Sequence, residues 1–186
     1  MKSLIYATGN DLKFQLAATA AKDFRVEVIQ KPLDIDEIQG EDTEKIARDK
    51  TAKAFAQLNQ PVITSDDSWS VTALRGFPGP YMKSLNAWLT TDDFLRLFST
   101  LENREIILTQ IIVYQDKQGQ QVFRRQTKGE LMHEARGHLP SGPNQEIITL
   151  DGDNGKSIAE IFNDHDLSDA AGTKVWPDFF EWLVKK

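Results

Sequence analysis

The opening thirty residues constrain the fold more than any other stretch. An apolar run, SLIYAT at residues 3–8, is broken by Gly9 and Asn10, and a helical pattern then extends to about Asp23. Asn10 has the side chain of an N-cap, and Leu12, Leu16 and Ala20 recur every four residues along one helix face. FRVEVIQ at residues 24–30 alternates as a strand, so the chain begins β-turn-α-β. A second helix is expected over residues 43–58, with Ala47, Thr51, Ala54, Phe55 and Leu58 on one face. PVITS at 61–65 is the next strand, and Asp66 and Asp67 are expected to end it. A Gly/Pro-rich loop, GFPGPY at 76–81, leads to short helices through Trp88 and over residues 92–101.

The second half has a different rhythm. REIILTQIIVY at 104–114 is a long strand, residues 116–120 a turn, and residues 121–134 the returning strand, with Gly129 marking a bulge. A loop over 136–144, a short strand at 146–150 and a polar turn at 151–155 follow. VWPDFFEWLVKK is an amphipathic helix that begins near Pro177. Alternating β and α followed by a long hairpin predicts an α/β protein with a mixed sheet. At 186 residues the chain supports one sizeable core or at most two small lobes. No Ser/Gly-rich linker interrupts it, so residues 1–186 are read as a single domain with room for a bilobal form.

Composition removes several function classes. Twenty-two basic against 28 acidic residues give a net charge of −6, which argues against gripping a nucleic-acid polymer. The absence of cysteine excludes disulfides, thiolate catalysis and cysteine zinc sites. The apolar run after Lys2 is too short for a signal peptide, and no stretch approaches the ~18–20 apolar residues of a membrane span. A cytoplasmic protein without a membrane partner is expected.

Some motifs carry no chemistry. Gly155-Lys156-Ser157 ends like a phosphate-binding loop, but Leu150 stands where that loop needs glycine. DGDNG at 151–155 lacks the glutamate of a calcium loop, because Phe162 occupies the twelfth position. Asp164-His165-Asp166 cannot turn three adjacent side chains onto one ion and is read as a solvated loop. His133 and His138 have no triad context, and Trp176, Phe179, Phe180 and Trp182 have the spacing of packing residues.

Three segments fit together. Thr8-Gly9-Asn10-Asp11-Leu12-Lys13 is a strand end, a glycine turn and a helix start, where free N–H groups and the helix dipole suit an anion. Lys13 adds a full charge one turn in. Leu33 to Glu41 is an acidic stretch, one of whose carboxylates could serve a hard cation. Ser65-Asp66-Asp67-Ser68 places two acids side by side, a costly pair unless a cation holds them. Phosphate donors, a cation site and a candidate base make the inventory for Mg²⁺-assisted phosphate chemistry.

In these three segments the chain resembles the inosine triphosphate pyrophosphatase family, hydrolases of non-standard purine nucleoside triphosphates. The family's T-G-N-x-x-K stands here as TGNDLK, its D-L-x-E-x-Q-G as DIDEIQG, and its acidic pair and Gly-Pro-Gly-x-Tyr loop as SDDSWSVTALRGFPGPY. The resemblance implies a mixed twisted sheet flanked by helices, in two lobes around a central nucleotide cleft, and a homodimer. It implies water attack at the α-phosphorus, giving the nucleoside monophosphate and pyrophosphate. By the match, Thr8, Gly9, Asn10, Lys13, Lys50 and Ser68 would bind the triphosphate substrate. Glu37 and Asp66 would hold Mg²⁺, and Asp67 would activate water or bind the metal.

The departures lie in the part that reads the base. Gly142-Pro143-Asn144-Gln145-Glu146 stands where the family has aromatic-Gly-aromatic-Asp-Pro. Ala170-Ala171-Gly172, with Asp166 before it, stands where the family has Ser-His-Arg preceded by Lys-Asn, and no Ser-His-Arg occurs in the chain. A site without these hydrogen bonds is expected to show weak or redirected base preference. The alternatives are a divergent pyrophosphatase for another nucleotide, or a nucleotide-binding or interaction protein without turnover.

Overall fold

The computed structural model describes residues 2–140, 142–164, 167–168 and 170–186. His165 and Asp166, singled out above, lie outside the described residues. Among the described residues no helix is long and apolar enough to cross a membrane.

The opening pattern folds as expected. Strand β1 (Lys2–Tyr6) leads into helix α1 (Asp11–Ala21), a 3-10 turn (Lys22–Phe24) and strand β2 (Val26–Gln30). Helix α2 (Thr43–Leu58) keeps the expected bounds and buries Ala47, Thr51 and Ala54. Asp42 caps it by accepting a 3.0 Å hydrogen bond from the Lys45 N–H. Strand β3 (Val62–Val71) departs from expectation, because it runs through Asp66 and Asp67 instead of ending before them. Strand β4 (Pro78–Gly79), helices α3 (Met82–Trp88) and α4 (Thr91–Leu97) and strands β5 (Glu105–Asp116) and β6 (Gly119–Leu131) follow. Then come strand β7 (Ile148–Leu150), helix α5 (Ile158–Asn163), which the sequence reading missed, and helix α6 (Trp176–Lys185). The strand order is β2-β1-β3-β5-β6-β7, with β4 paired to β3, and parallel and antiparallel ladders coexist. This is the mixed, helix-flanked sheet expected from the sequence.

The chain divides into two compact units. The first comprises Met1–Asp67, Gln110–Arg125 and Gly172–Lys186. Here β1 pairs in parallel with β2 on one side and β3 on the other, with Ile5 opposite both Ile29 and Val62. Its core joins Leu4 and Tyr6 of β1 to Ala17 and Ala21 of α1 and to Trp176, Phe179, Phe180 and Leu183 of α6. The two small alanines let α6 lie close to α1, and the aromatic rings of α6 pack edge-on and stacked among themselves.

The second unit comprises Ser68–Thr109 and Gln126–Ala171. Its core gathers Trp69, Val71, Phe94, Phe98, Ile106, Leu108 and Leu131 with Ile147, Ile148 and Leu150. Arg104 is buried here, and its guanidinium donates to the carbonyl oxygens of Leu131, Phe98 and Met132 at 2.5, 2.9 and 2.7 Å. Gly129 does not mark a bulge. It sits in unbroken antiparallel register with Leu150, while Glu130 faces Thr149 and Leu131 faces Ile148. Glycine is needed there because a Cβ would stand 2.3 Å from the Thr149 carbonyl oxygen.

Candidate functional site

The N-terminus of α1 is built as its sequence suggests. The Asn10 side chain accepts from the Lys13 N–H at 3.0 Å, and the Asn10 N–H donates to Thr8 Oγ1 at 3.1 Å. These two bonds fold residues 8–10 around the helix start, where first-turn N–H groups lack intrahelical partners. Gly9 is exposed, has no left-handed φ, and a Cβ there would meet only Pro32 Cβ at 3.9 Å. The folded chain itself therefore does not demand glycine at position 9.

From this start Lys13 reaches across to β3. Its Nζ lies 3.1 Å from Asp67 Oδ2, with both side chains about a quarter exposed, at 24% and 23%. Burial alone would lower the Lys13 pKa, but Asp67 and Asp66 outweigh it and hold the ammonium above its ordinary range. Next to it Tyr6 OH and Ser65 Oγ share a hydrogen bond, and burial pushes the Tyr6 phenol up to about 12.

The two acids have different partners because of the pleat. Successive side chains of a strand point to opposite faces, so Ser65 and Asp67 share one face of β3 and Thr64 and Asp66 the other. Ser65 meets Tyr6 of β1, and Thr64 Oγ1 lies 2.7 Å from Thr51 Oγ1 of α2. Burial raises the Asp66 carboxyl above the ordinary carboxylate range, the charges of Lys13 and Lys50 pull it back, and Asp67 raises it again. Its own oxygen also accepts the Asp67 N–H at 2.9 Å. Lys50 of α2 is bound at 2.6 Å to Glu37.

The structure thus brings Lys13, Lys50, Glu37, Asp66 and Asp67 into one charged network of the first unit. Ser68 is buried and falls in the second unit. The adjacent acids, expected to need a cation to hold them, are compensated by two lysines. Among the described residues no three His, Asp or Glu side chains form a ready-made metal cage. Mg²⁺ does not require one, since it takes one or two carboxylates and completes its shell with water and phosphate. A hard-oxygen donor set that includes the half-buried Asp66 carboxyl fits that demand. Tyr6 and Ser65 were missed in the sequence, and the available signal was a polar atom inside each of two apolar strands.

The family model for the Ham1 family matches residues 4–165. The chain belongs to the Ham1 family. A relative named dITP/XTP pyrophosphatase from Methanopyrus kandleri is 29% identical over 180 residues, covering 96% of this chain and 95% of its own length. One named inosine triphosphate pyrophosphatase from Ajellomyces capsulatus is 31% identical over 134 residues, 71% of this chain and 72% of that one. The solved structure of a HAM1 protein from Coxiella burnetii superposes with a TM-score of 0.79 at 16% identity, covering 100% of both chains, which shows the fold. Within this Ham1 chain, at the two departures from the family pattern, Glu146 and Gly172 are held by hydrogen bonds inside their own units. Asn144 and Glu146 are buried, Glu146 accepts from Thr91 Oγ1 and from the Leu139 N–H, and Gly172 accepts from Gln110.

Proposed function

We propose that this chain is a Mg²⁺-dependent nucleoside triphosphate pyrophosphatase acting on a non-standard purine nucleotide. The observation that carries the reading is the Lys13–Asp67 pair, 3.1 Å apart at the N-terminus of α1. It sets a phosphate-binding charge beside a candidate base. The names of the relatives supply the substrate class, deoxyinosine, inosine or xanthosine triphosphate.

In this reading Thr8, Gly9, Asn10 and the first turn of α1 receive the triphosphate, and Gly9 lets the backbone approach an oxygen. Lys13 has three N–H donors, so it can hold Asp67 and a phosphate oxygen together. Glu37 and Asp66 would hold Mg²⁺, which when bound would neutralise phosphate oxygens. Asp67 takes a proton as water oxygen bonds to the α-phosphorus and the bridging oxygen leaves with pyrophosphate. Lys50 exchanges Glu37 for phosphate, and Ser68 adds a hydroxyl. A homodimer belongs to the same reading and is tested by light scattering.

The deciding experiment is a pyrophosphate-release screen over dITP, ITP, XTP and the standard triphosphates, with Mg²⁺ and with chelator. Pyrophosphate as the first product, lost on chelation, is expected. Orthophosphate as the first product refutes the α-phosphorus assignment. Nucleotide binding without turnover supports instead the non-catalytic alternative, and turnover of another nucleotide the divergent one.

A further inference from the structure

We propose that Gln110 is a positioning residue for Lys13, acting through a single water held in a small cavity of the first unit. Gln110 is only 7% exposed, in the apolar first-unit portion of β5. Its Nε2 donates to the Gly172 carbonyl at 3.2 Å, while its Oε1 is buried with no hydrogen-bond partner among the described residues. Flipping the amide would set two acceptors against each other at Gly172, so the oxygen is held where it stands.

A cavity beside it has about 20 Å³ of room for a water-sized sphere, and its wall includes Gln110, Tyr6, Lys13, Ser65, Asp67 and Trp176. That is enough for one water. Tyr6 and Ser65 already share a hydrogen bond. Two needs remain in the wall: the Lys13 ammonium carries donors beyond the one at Asp67, and Gln110 Oε1 lacks a donor. Water accepts from the first and donates to the second, which satisfies both.

The consequence concerns the freedom of Lys13. With Asp67 as its sole hold, the end of a four-carbon stem can swing about one point. A second hold through Gln110 keeps the ammonium beside the acid. Its catalytic meaning rests on the pyrophosphatase reading, whereas the Gln110–water–Lys13 link does not.

The test is therefore a double-mutant cycle in metal- and nucleotide-free protein, with Gln110→Leu, Lys13→Met and the pair compared by urea unfolding. Gln110→Leu is expected to raise the unfolding equilibrium constant about three- to tenfold more when Lys13 is present than in Lys13→Met. An equal effect in both backgrounds overturns the proposal, because Gln110 would then serve Gly172 alone. If a variant fails to fold, a high-resolution crystal structure of the wild type decides. An ordered water within hydrogen-bonding distance of both Gln110 Oε1 and Lys13 Nζ supports the link, and a dry cavity refutes it. Pyrophosphate release by the same wild-type preparation tests the functional reading separately.

Discussion

Asp67→Asn keeps the shape of the side chain and removes its charge, so its two effects can be worked out separately. On stability, the Lys13–Asp67 pair at 3.1 Å is worth about 5 kcal/mol at an effective dielectric of ~20 and about 1 kcal/mol in water. Both groups are a quarter exposed, which moves the pair towards the lower figure. Losing Asp67 also relieves its repulsion of Asp66, and the charge of Asp66 still acts on Lys13. The expected net loss is about 1 kcal/mol or less. On turnover, an amide cannot accept the proton, and general-base assistance is worth roughly 10²–10⁴. Nucleotide affinity should hold or improve, because one fewer negative charge faces the phosphates. Pyrophosphate release, calorimetric nucleotide binding and urea unfolding on one preparation measure all three. Turnover within about threefold of wild type would sink the assignment of Asp67. A loss of turnover matched by a loss of folded protein would make the acid merely structural.

Gly9→Ala should leave stability unchanged or raise it by up to about 1 kcal/mol, since its Cβ meets only Pro32 at 3.9 Å, while KM for the triphosphate rises; unchanged KM argues against phosphate at that turn. Gly129→Ala should cost about 1–3 kcal/mol in urea unfolding, because its Cβ would lie 2.3 Å from the Thr149 carbonyl, and a neutral result would mean the β6–β7 ladder yields freely. Tyr6 gives a pH dependence: its phenol titrates at about 12 in the fold and 10.0 ordinarily, so the fold favours the neutral form, with that stability complete below pH 10 and lost between 10 and 12. Tyr6→Phe should flatten the fall of the urea midpoint over that window, with Tyr114, also raised to about 12, and the raised ammonium of Lys13 supplying what remains; an unaltered fall refutes the assignment.

What the sequence revealed depended on how local the cause was. The α1 start was legible because Asn10 and the four-residue apolar spacing act within one turn of chain. The continuation of β3 through Asp66 and Asp67 was not, since the compensation comes from Lys13 and Lys50, far away in sequence. Gly129 was recognised as special for the wrong reason, because its constraint is a carbonyl on another strand. Helix α5 was an oversight of a local signal: Ser157 and Glu160 form a capping box, visible as Ser-x-x-Glu. The glycine turn before α1 and the adjacent acids of β3 were likewise readable as sequence features, whereas Gln110 and Tyr6, and the bond that Ser65 makes, lay hidden in apolar strands.

The packing of α6 onto α1 and β1 has a consequence for how the chain is made. Lys2 Nζ donates to the Leu183 carbonyl at 2.7 Å, so the first strand and the last helix are fastened together. During translation β1 and α1 leave the ribosome long before Trp176, Phe179 and Phe180 exist to cover Leu4, Ala17 and Ala21. For most of synthesis the nascent chain therefore carries an uncovered apolar face and invites a chaperone to shield it. Premature termination anywhere before α6 would leave that face permanently open, making quality-control proteolysis the expected fate of such fragments.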